Sequence, residues 1–331
     1  MCDMKRKVET RQIVIMAAIL ILVLVLLYSG LQILESTVFH QDTEPGQDGT
    51  TQTIKRDGVS YFPRQDTTVI LLTGVDTEGP MVSSGSYNNA AEADMISLLI
   101  FDETNKKLDI ISLNRDSMVT MPVLGIGGKK AGTRFGQLAL AHTYGTGLKD
   151  SAKNLKTAVS DLLYGVQIDY FVTINMDAIA ILNDAVGGVT VNVTDDFSEI
   201  DSSIPMGKVT MDGSQARNFV QVRHNLGNQL NLNRMERHRE YMSGFMDALK
   251  VKLKSDPAFM LSALEDVQDY MVTDCSNSTM VNLANRYKDY ELQDLVSPAG
   301  ENKKGTEFME FYLDEEDLDR IILKYLYAPK K

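Results

Sequence analysis

The sequence predicts one α/β or α-β-α domain built on a mixed central sheet and preceded by a single N-terminal transmembrane helix. Three patterns carry this. An uncharged, apolar run from Gln12 to Leu34 follows a basic N-terminus. Apolar, β-branched segments at 67–76 and 94–113 are separated by turn-forming residues. From residue 151 onward, helix-period and strand-like segments alternate, as they do when helices cover a sheet.

The N-terminal run is preceded by Lys5, Arg6, Lys7 and Arg11 and followed by Glu35, Asp42, Glu44 and Asp48. At a rise of about 1.5 Å per residue such a run spans a bilayer, and the basic flank keeps the N-terminus in the cytoplasm. "YSGLQILESTVF" has no small-x-small cleavage site, so a retained anchor is expected rather than a cleaved leader. The boundaries are then a cytoplasmic tail at 1–12, a signal-anchor at 13–34 and a polar, turn-rich extracellular linker at 35–65. This describes a single-pass cell-membrane protein whose C-terminal part lies outside, on the cell-wall face. Cys2 and Cys275 fall on opposite sides and cannot pair, so the outer domain must rest on its own core. A net charge of -12 and a pI near 4.9 argue against nucleic acid as the partner.

"TTVILLTGVD" (67–76) reads as a buried strand stopping at Gly74 and Asp76. "DMISLLIFDETNKKLDIISLNRD" (94–116) reads as two antiparallel strands joined at "ETNK". A turn centred between Thr104 and Asn105 puts Asp94 opposite Arg115, close enough for contact. A first strand running in the direction of the third brings Asp76 to the same edge. Helices are expected at 151–166, with a Ser or Asp cap, and at 176–186 before Gly187-Gly188; strands are expected at 169–174 and 189–193. "SQARNFVQVR" (214–223) is taken to end as a strand at Arg223. A long helix follows from about Leu232 to Leu253, then a C-terminal strand and a capped helix.

"RNFVQVRHNLGNQLNLNRMERHR" (217–239) gathers five arginines in an acidic chain. Arg234, Arg237 and Tyr241 share one face of the long helix near its N-terminus. Two guanidiniums there suit a di-anion, because each forms paired, charge-assisted hydrogen bonds with phosphate. Arg223 can join them, while Arg217 and Arg239 are expected to face water. Met235, Met242, Phe245 and Leu249 form an apolar stripe expected to pack on the core. Asp76, Asp94 and Asp116 at one sheet edge suit Mg2+, which takes one or two carboxylates and completes its shell with water and phosphate. Aspartates with arginines are equipment for phosphoryl transfer. No G-x-S-x-G elbow, H-E-x-x-H, P-loop or G-x-G-x-x-G is present, and four scattered histidines do not suggest zinc.

Taken in order, "LLTGVD", "EADMISLLIFD", "ISLNRDSMV", "NDAVGGVTVNV", "MDGSQARNFVQVR" and "NLNRMERHREYM" behind an anchor helix resemble the LytR–CpsA–Psr family of cell-wall ligases. The resemblance covers about 66–255 as a catalytic domain, with 256–331 a C-terminal extension completing it. It implies an α-β-α sandwich and a Mg2+-dependent phosphotransferase that moves a glycopolymer from a polyprenyl-pyrophosphate carrier onto peptidoglycan. Within it, Arg115, Asp116 and Asp94 correspond to catalytic positions, and Asp76 and Asp94 to metal positions. Arg115, Arg223, Arg234, Arg237, Gln221 and His238 correspond to the pyrophosphate site. Glu92, Asn114, Gln221 and His238 depart from the usual residues, and Lys129, Lys130 or Arg134 is a candidate to replace lost positive charge.

The other expectation is a degenerate member that binds polyprenyl-linked glycan or peptidoglycan as an assembly or regulatory factor. Charges serving only as structural ion pairs would leave Asp94 and Arg115 paired with no cavity beside them.

Overall fold

The computed structural model describes residues 53–125, 127–222, 230–256, 258–305 and 308–329. The tail, the anchor at 13–34, most of the linker and Arg223 lie outside these residues. Among those described, no helix is long and apolar enough to cross a membrane.

Six strands form the central sheet in the order β11 (Met271–Thr273), β8 (Tyr170–Ile174), β3 (Thr67–Val75), β4 (Ala93–Asp102), β5 (Lys107–Leu113) and β12 (Glu291–Val296). β4 is antiparallel to both neighbours, whereas β3–β8 and β5–β12 are parallel. The sheet is therefore mixed, as expected, and β3 runs in the direction of β5. The β4–β5 register is the expected one: Asp102 pairs with Lys107 and the ladder runs to Ile96 opposite Leu113. Continuing it by two residues puts Asp94 opposite Arg115.

Alternation along the strands sorts side chains onto two faces. Val69, Leu71, Ile96, Leu98, Ile111 and Leu113 pack under α1 (Lys149–Leu162) and the C-terminal α7 (Glu315–Tyr325) in one continuous core. Each such aliphatic side chain contributes about 1.5–3 kcal/mol by leaving water. Ile70, Leu72, Met95 and Leu99 point to the other face. There they meet the long α4 (Leu230–Ser255), α5 (Phe259–Val267) and α6 (Asn277–Tyr287).

A second core joins α2 (Met176–Ala185), the hairpin of β9 (Val189–Val193) and β10 (Gly207–Met211), α3 (Gly213–Gln221) and α4. Gly244 allows α4 to lie against β9, since a Cβ there would stand 2.4 Å from the Thr190 carbonyl oxygen. A helix-interior glycine otherwise costs about 0.5–1 kcal/mol relative to alanine.

Three expectations are corrected. The described part of 214–223 holds no strand: Gly213–Gln221 is helical because Asp212 and Gln215 form a reciprocal capping box at 2.9 and 3.0 Å. Helix α1 has no side-chain cap at Leu148. Asp150 and Ser151 sit in its first turn and reach back to hold the amides of Thr146 at 2.8 Å and Gly147 at 2.9 Å. The stretch from 54 to 63, expected in the linker, is folded as β1 (Ile54–Arg56) and β2 (Val59–Pro63), because β15 (Tyr327–Pro329) supplies a pairing edge.

Arg64 fastens the β4–β5 turn by donating to Asp66 at 3.0 Å and Asp102 at 2.7 Å. These bonds hold the Asp66 carboxyl at about 2, below its ordinary 3.8. Its stabilisation is therefore complete above the ordinary value and lost as pH falls through about 2. Arg64→Ala should lower stability near neutral pH by about 1 kcal/mol after solvent screening. In denaturant titrations the gap between variant and wild type should narrow below pH 3.8 and close near pH 2.

Candidate anion and metal site at the sheet edge

Asp94 opens β4 and Arg115 follows β5 by two residues, so the sheet register delivers them to one place. The Arg115 guanidinium hydrogen-bonds Asp94 through Nη1 and Glu92 through Nη2, and its Nε lies 3.4 Å from Asp116 Oδ1. From above the sheet, Arg234 Nη1 reaches Asp94 Oδ2 at 3.4 Å. Asp94, Arg115 and Arg234 are 7%, 7% and 3% exposed, while the Glu92 side chain remains 42% exposed. One buried carboxylate is thus shared by two buried guanidiniums, and solvent reaches the cluster on the Glu92 side.

Local turns hold the cluster. Asn114, where a proline is usual in the resembled pattern, accepts the Asp116 amide on its side-chain oxygen at 2.9 Å, an Asx turn that aims Arg115. Asn89 donates to the carbonyls of His142 and Gly145 at 3.0 and 2.9 Å. The His142 ring bonds the Ala91 carbonyl at 2.7 Å, next to Glu92. Burial pushes the His142 pKa down, which keeps this strut neutral. No local pattern in the sequence marks Asn89, His142 or Gln137 as supports, because each acts across the fold.

Beside the cluster, between the sheet and α4–α5, lies a cavity of about 270 Å3. Its polar residues, Asp94, Gln221, Arg234, His238 and Tyr241, belong to the edge that carries the arginines; the rest of its wall is almost wholly Leu, Ile, Val, Met and Phe. Gln221 donates to Asp76 at 2.9 Å, and Asp76 is exposed, so this end adjoins the surface. A second cavity of about 230 Å3 shares Leu72, Val172, Leu249, Met260 and Met280 with the first. Together they form an apolar passage along β3. Met242, Phe245 and Leu249 pack on the cores as expected and also line this passage. Asp94 and Arg115 therefore pair with a cavity beside them, unlike purely structural ion pairs.

Arg237 shares a helix face with Arg234 yet does not line the cavity. Its Nε donates to the Phe219 carbonyl at 3.0 Å, Nη1 to Asp195 at 2.9 Å, and Nη2 to the Val222 carbonyl. His238 bonds the Val220 carbonyl at 3.0 Å while also lining the cavity. Both side chains therefore close the C-terminus of α3. Arg217 pairs with Glu78 and Asp177, and Arg239 with Glu236 and Ser297, rather than standing free in water. Lys129, Lys130 and Arg134 do not line the cavity.

Among the described residues, no group of three or more His, Cys, Asp or Glu side chains is arranged to hold a metal. Of the two aspartates expected to hold Mg2+, Asp76 is exposed and accepts one bond from Gln221, while both Asp94 oxygens face guanidiniums; Mg2+ commonly takes one or two protein carboxylates and fills its remaining positions with water and phosphate. Cys275 is buried, and burial raises its thiol pKa, which disfavours the reactive thiolate.

Comparison with known proteins places the chain in context. The profile of the LytR_cpsA_psr family matches residues 32–322. A polyisoprenyl-teichoic acid–peptidoglycan teichoic acid transferase, TagU of Enterococcus faecalis, is 27% identical over 286 residues, covering 85% of this chain and 86% of that one. The crystal structure of TagV of B. subtilis superposes with a TM-score of 0.62 at 20% identity, covering 79% of this chain and 96% of that one. A structure described as TagT bound to LI-WTA gives 0.60 at 20%, covering 86% and 98%.

Arg237→Ala takes a donor from Asp195 and from the Phe219 and Val222 carbonyls at the end of α3. It should cost about 2–3 kcal/mol of stability, read as a lowered midpoint in thermal or denaturant unfolding.

Proposed function

Because the chain belongs to the LytR_cpsA_psr family, we propose that it transfers a glycopolymer from a polyprenyl-pyrophosphate carrier to peptidoglycan at the Asp94–Arg115–Arg234 cluster. The observation that carries this reading is that Asp94 and Arg234, of the buried cluster they form with Arg115, line one end of a long apolar passage. A polyisoprenyl pyrophosphate has that same construction, an anionic head on an apolar chain.

Arg115 and Arg234 bind the pyrophosphate, and the passage along β3 takes the isoprenoid. The guanidiniums already lie out of water and oriented, so they stabilise charge as it develops without reorganising. A hydroxyl of the acceptor sugar attacks the phosphorus that bears the glycan. The bond from that phosphorus to the bridging oxygen breaks, and the carrier leaves as its monophosphate. Asp116, on Arg115 Nε, takes the hydroxyl proton.

Among the described residues, three carboxylates (Glu92, Asp94 and Asp116) face two guanidiniums (Arg115 and Arg234), an excess of one negative charge before any substrate arrives. A pyrophosphate adds more, so binding calls for a cation. Asp76 and Asp94 hold Mg2+ in this reading; when bound, the ion neutralises phosphate oxygens. Gln221, donating to Asp76, orients one of its ligands. Arg237 and His238 act by holding α3, and hence Gln221, in place. The anchor at 13–34 keeps the domain on the outer face of the membrane, where the carrier and peptidoglycan meet.

Phosphate release from a polyprenyl pyrophosphate by the full chain, with Mg2+ or with EDTA, tests the proposal. Release should require the metal and fall by about 100-fold or more in Arg115→Ala and Asp94→Asn, a loss typical of removing one preorganised charge partner. Ala263→Phe, which fills part of the passage, should raise KM for the carrier without lowering the melting temperature. Metal-independent release, or full activity in Arg115→Ala, would sink the reading. The engagement of Arg115 by three carboxylates favours one rival, binding without transfer. Tight carrier binding that weakens in Arg234→Ala, with no release, would establish it.

A further inference from the structure

Asp116 is moored to two surface hairpins. β6 (Met118–Leu124) starts two residues after it, and β7 (Lys130–Gln137) returns to it. The Gln137 side chain donates to Asp116 Oδ1 at 2.9 Å and to the Met309 carbonyl at 2.9 Å. The second hairpin, β13 (Gly300–Lys304) and β14 (Met309–Leu313), is tied in again where the Phe311 amide donates to the Asp116 carbonyl at 2.9 Å.

Large apolar side chains around this mooring remain in water: Phe135 is 58% exposed, Met309 47% and Phe308 39%. Single exposed apolar residues need no explanation, but three gathered at one hydrogen bond beside a reactive cluster do. Lys129, Lys130 and Arg134 are exposed as well, and no acidic residue occurs between Met118 and Gln137 in a chain of net charge -12. Arg134 donates to the Tyr144 hydroxyl at 2.9 Å, and a Cβ on Gly128 would stand 3.0 Å from the Tyr87 ring. The β13–β14 hairpin adds Lys303 and Lys304, with Glu301 3.6 Å from Lys303 and Glu310 bonded to Tyr312.

We propose that this basic, aromatic surface docks the peptidoglycan acceptor strand; the proposal rests on the transfer reading above. In phosphoryl transfer the attacking and leaving oxygens stand roughly in line. The carrier leaves into the cavity lined by Asp94 and Arg234, whose wall includes neither Asp116 nor either hairpin. The acceptor therefore arrives on the other side of Arg115, where the hairpins begin. Sugar rings lay their apolar faces on exposed aromatic side chains, and carboxylates of the peptide stems pair with lysine and arginine. A polyanionic glycopolymer would satisfy the charges but leave the exposed aromatics unused.

Co-sedimentation of the full chain with purified peptidoglycan sacculi tests this. Phe135→Ala and the double variant Lys129→Glu, Lys130→Glu should each weaken binding about fivefold or more, the loss of one useful contact. Melting temperature and metal-dependent phosphate release should stay at wild-type levels, and Phe135→Tyr should bind like wild type. Undiminished sacculus binding in both variants overturns the proposal. So does a wild-type chain that retains poly(glycerol phosphate) but not sacculi, which assigns the surface to the donor polymer. Phe135-dependent sacculus binding without any phosphate release would remove the transfer reading and leave the docking surface standing.

Discussion

Two guanidiniums share one buried carboxylate at the end of β4, and much of the fold is arranged to make that affordable. A buried charge left without a partner costs several kcal/mol, so Asp94, Arg115 and Arg234 can be covered only if all three arrive together. The β4–β5 register brings the first two, and the placement of α4 over the sheet brings the third. Because desolvation is met during folding, an incoming anion exchanges one set of partners for another instead of stripping water from the arginines. The site is prepared for charge before substrate is present.

The same sheet shows two packing regimes. Under α1 and α7 its residues are among the most buried in the molecule, with Leu71, Leu98, Ile100 and Ile111 at 0% exposure. On the opposite face the helices stand off and leave a passage among Leu72, Val172, Leu249 and Met260. Empty apolar volume forfeits dispersion contacts, and filling it would stabilise the domain by several kcal/mol. In the proposed function, the void beside the charged cluster is the room that the isoprenoid takes. The closely packed face supplies the rigidity that the hollow one gives up.

How legible this was from sequence depended on distance along the chain. The turn at Thr104–Asn105 set the β4–β5 register, and arithmetic from it paired Asp94 with Arg115 correctly. Local rules failed where a neighbour decided. Residues 214–223 alternate enough to suggest a strand, but the Asp212–Gln215 capping box and the burial of Ala216, Phe219 and Val220 make a helix. Arg234 and Arg237 lie three residues apart on one face, yet one reaches Asp94 and the other the end of α3. Periodicity names a face without naming what it meets. Likewise the Met242–Phe245–Leu249 stripe signals apolar surroundings in the same way whether they are core or cavity. Glu92, visible only as a departure from a pattern, is the exposed partner of Arg115.

The mooring of Asp116 also sets an order in time. Its carbonyl is bonded by Phe311, and the β2 edge is covered by Tyr327–Pro329, so segments separated by hundreds of residues meet at the site and at the N-terminal strands. During synthesis the earlier strands can form while the Asp116 carbonyl and the β2 edge still lack these partners. Residues 309–329 then close both positions. Closure of the reactive edge therefore waits for the same C-terminal segment that brings α7 onto the main core.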